Sequence, residues 1–193
     1  MPPTMMDIAV AYNRYAFLGY EFLTWLWFLV ESDPETLRAA DPELANLEIG
    51  NRLVLENRLQ EAVETITIRG DDAGLEEGRV ALRKGALVSE LSLAMKAGDH
   101  DWRFTLKGES LMIAGLKTPE AGPAEAGEAL EGRILEKLYL CERPVALVDG
   151  LYRRFVALRI SAEWAEVHLP RLRAWAAGRE AGNATGASAT PTS

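Results

Sequence analysis

The chain has 193 residues, of which 48% are hydrophobic and 26% charged, and its formal net charge is −8. These values fit one globular domain with a real core, or one domain with a helical appendage. The acidity disfavours indiscriminate coating of nucleic acid, because affinity for phosphates rests on neutralising them with Lys and Arg. The single cysteine, Cys141, excludes an intramolecular disulfide and suits a reducing cytosol.

Residues 1–13 read as a lead-in to a helix over 14–31. Its apolar run, 16–30, carries Phe17, Phe22, Trp25, Trp27 and Phe28 and is interrupted by Glu21. A bilayer span takes about 20 apolar residues, so this run is short for one. No basic stretch directly precedes it and no small-residue cleavage site follows, which argues against a secretory signal. A cytoplasmic protein with no membrane partner is the expectation. A helix apolar on most sides belongs in a core or a subunit interface, which makes Phe22, Trp25, Trp27 and Phe28 candidate interface residues. Ser32-Asp33-Pro34 stops the helix, and 34–46 is a polar connection with room for a short helical turn. Residues 47–49 and 52–56 read as a short hairpin around Gly50-Asn51.

Residues 61–117 are the most structured stretch. The strand 61–69 alternates, with Ala62, Glu64, Ile66 and Ile68 on one side and Val63, Thr65, Thr67 and Arg69 on the other. Gly70-Asp71-Asp72 turns the chain, and 75–84 predicts a short charged helix ended by Gly85. Alternation resumes over 88–96 and 102–107, aligning Leu91, Leu93 and Met95, then Trp102, Phe104 and Leu106. Residues 111–116 supply a last strand.

The composition of 120–128 marks a linker. A helix follows over 129–143, and Pro144 either ends or kinks it, or opens a second helix over 145–159. Leu138, Cys141, Val145, Val148, Tyr152 and Phe155 recur at helical spacing, and Leu140, Leu147, Leu151 and Leu158 form a second face. Cys141 reads here as a small core residue. A last helix over 162–179 carries Trp164, Val167, Leu172 and Trp175, with Pro170 predicting a kink or break. The Gly/Ala/Ser/Thr-rich tail 180–193 predicts disorder. The expected fold is α+β: an antiparallel sheet with a short crossing helix, an aromatic N-terminal helix and a C-terminal helical segment. Its expected units are a domain over 1–119, a linker over 120–128, a helical segment over 129–179 that packs on the domain or on a partner subunit, and the tail.

The chemical inventory argues against an enzyme and implies no cofactor. His100 and His168 lie far apart with no ligand-like partner at helical spacing, so no zinc site is expected. No G-x-S-x-G elbow and no phosphate loop is present. Asp71, Asp72, Glu76 and Glu77 offer carboxylates of the kind that hold magnesium, but acids at a turn and helix start are the plainer account. Charge is unevenly spread: residues 133–179 carry nine basic and five acidic side chains, whereas the rest is strongly acidic. Two basic groupings emerge. One is Arg69, Arg83, Lys84, Lys96, Arg103 and Lys107; the other is Arg153, Arg154, Arg159, Arg171 and Arg173. Each is either a solvated surface or a phosphate-contacting face. Assembly through the aromatic helix and the helix over 134–158, with no nucleic-acid role, is the alternative reading.

Phe22-Leu23-Thr24-Trp25-Leu26-Trp27, then 52–55, then Thr67-Ile68-Arg69-Gly70-Asp71-Asp72 resemble the recombination-associated RdgC family. So do residues 82–93, continuing into Trp102-Arg103-Phe104-Thr105-Leu106 and 111–116. The resemblance covers roughly 17–117, and the C-terminal helices more loosely. It is to the later part of that family, and most of the family's N-terminal half has no counterpart here. It implies an α+β protein that forms a homodimer, binds double-stranded DNA without sequence preference and restrains recombinase filaments. Arg69 matches the family's basic position before the short helix, whereas Gly70-Asp71-Asp72 departs from it by placing acids where members can carry lysine or glutamine. With the basic side chains already noted, the expected DNA contacts are Arg69, Arg83, Lys84, Arg103 and Lys107.

Overall fold

The computed structural model describes residues 8–59, 62–69, 72–120 and 130–179, without the side chains of residues 8–17, 58–59, 62 and 72–74. Two helices lead, α1 (Ile8–Ser32) and α2 (Pro34–Ala40), followed by strands β1 (Leu44–Leu59) and β2 (Ala62–Arg69). Helix α3 (Asp72–Arg83) connects to β3 (Leu87–Ala97), β4 (His100–Lys107) and β5 (Met112–Lys117). The chain closes with α4 (Leu130–Arg159), a π-helical turn (Trp164–His168) and α5 (Leu169–Ala176). The fold is α+β, with one antiparallel sheet in the order β2-β1-β3-β4-β5.

Period-two alternation dictates the sheet's two faces. Leu47, Leu53 and Leu55 on β1, Ile68 on β2, Leu91, Leu93 and Met95 on β3, and Trp102, Phe104 and Leu106 on β4 all enter one core. Helix α1 lies against that face. Every residue from Phe22 to Leu29 is buried because the sheet covers one side of the helix and the C-terminal helices cover the other. Phe155 of α4 packs against Phe22 and Trp25, with ring centroids 5.6 Å from each. Trp175 of α5 meets Trp27 edge-on at 5.0 Å and Phe28 at 5.7 Å. The expected interface residues Phe22, Trp25, Trp27 and Phe28 are therefore the centre of this chain's own core. The C-terminal segment takes the partner role foreseen for another subunit. Thr24 ties α1 to the sheet as well, its hydroxyl accepting from the Val88 N–H (3.1 Å) and donating to the Tyr20 carbonyl (2.9 Å).

One close approach needs glycine. A Cβ added to Gly19 would stand 1.8 Å from the carbonyl oxygen of Gly108 in the β4–β5 turn, and that oxygen belongs to backbone. The Gly108 N–H is itself held by the Ser89 carbonyl at 2.7 Å, so the turn has little room to retreat. Gly19→Ala is expected to lower stability by about 1–3 kcal/mol, the usual range for overpacking, read as a shifted urea midpoint. An unchanged midpoint would show that α1 does not sit against this turn.

Several elements differ from their sequence reading. Residues 47–56 are not a hairpin; they lie within the single long strand β1. Ile49 pairs with Leu93 and Leu53 with Leu91, so Gly50, Asn51 and Arg52 bulge opposite Ser92. Gly50-Asn51 resembles a turn locally, but β3 pairs with β1 on both sides of it and carries the strand through. His100, which lies before the expected strand 102–107, opens β4.

Pro144 neither ends α4 nor starts a new helix. A proline inside a helix leaves the carbonyl four residues earlier without its donor. Here that carbonyl is Leu140's, and the Trp102 indole N–H donates to it at 2.8 Å. The sheet thus supplies the bond that the proline withholds. Pro170 is accommodated differently, in the first turn of α5, behind a widened turn in which the Leu169 N–H bonds back to the Trp164 carbonyl. Cys141 is exposed, not a core residue, because the buried side of α4 at this level runs through Leu140 and Pro144. The expected linker lies almost wholly outside the described residues, as does the tail 180–193.

Candidate nucleic-acid interface

Among the described residues no helix packs on the second face of the sheet. Alternation puts Glu48, Arg52 and Glu56 of β1 there, with Thr65, Thr67 and Arg69 of β2. From β3 come Glu90, Ser92, Ala94 and Lys96, from β4 Asp101, Arg103, Thr105 and Lys107, and from β5 Met112, Ala114 and Lys117. Six basic side chains face four carboxylates on this surface, so it is net positive although the chain as a whole is at −8.

The cations divide into two kinds. Glu90 sits between Arg52, at 3.3 Å, and Lys107, binding both. Arg69, Arg103 and Lys117 are exposed, and no described carboxylate pairs with any of them, whereas exposed Lys96 stands directly across from Asp101 of β4. Arg103 and Lys117 are direct cross-strand partners on β4 and β5. Like charges directly opposite one another are destabilising, and an anion held between them relieves the repulsion.

These two residues border a depression of about 520 Å³ lined also by Gly50, Asn51, Ser92, Ala94, Thr105 and Gly115. Bulges make it. On one side β1 carries its extra residues at Gly50–Arg52. On the other, β5 carries one between the pairs Arg103–Lys117 and Thr105–Ala114, where Gly115 adopts φ 60°. Glycines inside strands mark bulges and places where another backbone or a ligand approaches closely. Between the two bulges, the Ser92 and Thr105 hydroxyls hydrogen-bond to one another at 2.9 Å. The result is a shallow hollow with hydroxyls in its floor, an amide on one flank and two uncompensated cations on the other.

Of the five expected DNA contacts, the structure brings Arg69, Arg103 and Lys107 to this face and places two elsewhere. Arg83 lies on the helical side and donates to the Ala176 carbonyl of α5 at 2.9 Å. Lys84 follows it in the turn after α3, which Gly85 closes with φ 97°. Their nearness in sequence to Arg69 is undone by α3, which crosses to the packed side of the sheet. Lys107 faces the right way but is held by Glu90. In the second basic grouping, Arg153 pairs with Asp149, Arg159 with Glu21 and Arg171 with Asp33. The hydrogen bond to Glu21 raises the pKa of Arg159 above its ordinary value, against the opposing effect of burial.

Lys117 and Asn51 were not legible as site residues. Lys117 stood one position beyond the expected strand, and only the pairing of β5 with β4 places it beside Arg103. Among the described residues no group of His, Cys, Asp and Glu is arranged to hold a metal ion, and no helix is long and apolar enough to cross a membrane. No protein-family model matches the chain, and no curated protein matches it.

Proposed function

We propose that the chain is a sequence-independent nucleic-acid-binding protein that contacts the phosphate backbone of double-stranded DNA with the open face of its sheet. The observation that carries this reading is the set of three exposed cations, Arg69, Arg103 and Lys117, that no described carboxylate pairs with on one face of the sheet. Hydroxyls, an amide and cations suit phosphate oxygens, and a face on which no described helix packs suits contact without base readout. On the C-terminal helices, by contrast, Arg153, Arg159 and Arg171 are already paired with carboxylates. Double-stranded DNA follows the resemblance to RdgC proteins, which also supplies control of recombination as the process, while a cytoplasmic setting suits the single cysteine. A homodimer presents two such faces.

Duplex binding should weaken steeply as salt rises, because each phosphate contact releases counterions. Arg103→Ala combined with Lys117→Ala is expected to weaken binding at least about tenfold and to flatten the log–log salt slope by roughly two units. Arg83→Ala, on the other side of the molecule, is expected to leave both unchanged. No binding at low salt, or binding indifferent to salt, would end this reading.

A further inference from the structure

On the helical side of the sheet, α1, α3 and α5 border a cavity of about 620 Å³. That volume lies in the range of small-molecule sites, roughly 300–1,000 Å³. Its apolar part is built mainly from rings. Phe28 of α1 and Trp175 of α5 are both buried and meet edge-on at 5.7 Å, and both line the cavity. Pro170 and Ala174 line it as well, four residues apart and so neighbours on one side of α5.

The end of α5 decides what stands beside those rings. Gly178 adopts φ 67°, its N–H bonds to the Trp175 carbonyl, and the Arg179 N–H bonds to the Ala174 carbonyl, each at 2.9 Å. This pair of bonds is the glycine-closed helix end that turns a chain back on itself. It fixes the Arg179 backbone beside the cavity, which Arg179 lines together with Arg171. The Arg171 guanidinium stands 5.7 Å from the centroid of the Phe28 ring.

Charge selects the occupant. The carboxylates here already serve donors of the chain. Glu31 takes the Trp27 and Trp175 indoles and Arg79, Glu76 takes Arg79, and Asp33 takes the Thr36 N–H and Arg171. The guanidiniums are not used up in this way. No described carboxylate pairs with Arg179, and Arg171 gives Asp33 one contact at 3.4 Å, which leaves most of its N–H donors open. A cation would find its acceptors taken, whereas a carboxylate finds spare guanidinium N–H groups beside aromatic rings.

We propose that this cavity binds a small organic anion, a flat aromatic body carrying one carboxylate. The body packs against Phe28 and Trp175, and the carboxylate accepts from Arg171 and Arg179. The site is separate from the hollow on the open sheet face, and the proposal does not depend on the DNA reading.

Calorimetric titration of the full chain with 2-naphthoate and with uncharged 2-naphthamide tests it. Naphthoate is expected to bind one site per chain, and the amide to bind about threefold or more weakly, the scale of a partly exposed charge pair. Arg171→Ala with Arg179→Ala is expected to erase that preference and leave the circular-dichroism spectrum unchanged, because both residues are exposed. Ala174→Trp, which fills the cavity, is expected to abolish binding of both probes. Ile134→Glu with Leu138→Glu alters exposed apolar residues of α4 and is expected to change nothing. No naphthoate binding at millimolar concentration, equal affinity for the two probes, or binding that survives Ala174→Trp overturns the proposal. So does binding that the α4 substitutions remove.

Discussion

Phe155→Ala is expected to lower the unfolding free energy by about 3–5 kcal/mol, the range for removing a large aromatic from a packed core. Phe155 is fully buried and meets three other aromatic rings closely: Phe22 and Trp25 at 5.6 Å and Trp164 at 5.5 Å. These contacts join α1, α4 and the π-helical turn, so the cavity would open where the helical layer is held together. Chemical denaturation followed by tryptophan fluorescence measures the effect directly, since two of the affected rings are indoles. Phe155→Leu should recover part of the loss by filling much of the volume. A midpoint that barely moves would mean that the C-terminal helices are not seated on α1.

The second large effect is expected at Glu31. Its carboxylate accepts from the Trp27 indole N–H at 2.6 Å, from the Trp175 indole N–H at 2.9 Å and from Arg79 at 2.7 Å. Arg79 also reaches Glu76, but its own Nε has no partner. One acid thus serves two indoles and a guanidinium at the junction of α1, α3 and α5. Glu31→Ala leaves all three donors short of an acceptor in a site where the acid and Arg79 are only 18 and 21% exposed. Breaking such a pair from one side costs about 3–5 kcal/mol when fully buried, and partial exposure brings the expected loss to about 2–3 kcal/mol. Glu31→Gln retains an acceptor oxygen and is expected to lose less. Equal losses for the two variants would show that the carboxylate charge, not the shared acceptor, holds this junction.

The sheet was readable because its inward positions obey a strict period of two, which survives in Leu91-Leu93-Met95 and Trp102-Phe104-Leu106 whatever surrounds them. The helices at α1 and α3 were readable for similar local reasons, including the Gly85 stop. What escaped was decided by partners distant in sequence. Gly50-Asn51 has turn chemistry, and only the register against β3 converts it into a bulge. Pro144 breaks helices in isolation, and only an indole from β4 supplies the missing bond. Cys141 lies in an apolar run, but the side of α4 that is buried depends on where the helix meets the body. The candidate site shows the same division. Arg69 and Arg103 could be assigned to a polar strand face from alternation, whereas the removal of Arg83 and Lys84 to the opposite side follows from the path of α3. Glu90 was not singled out at all, because its hold on Arg52 and Lys107 crosses three strands.

The bond between the Trp102 indole and the Leu140 carbonyl fastens α4 to the sheet at the point where the helix leaves the body. Each residue added to or removed from the helix between Leu130 and Leu140 would move its start by about 1.5 Å and turn it by about 100° relative to the sheet. The proline and its indole therefore act as the datum from which the reach and the facing of the first ten residues of α4, none of them buried, are measured.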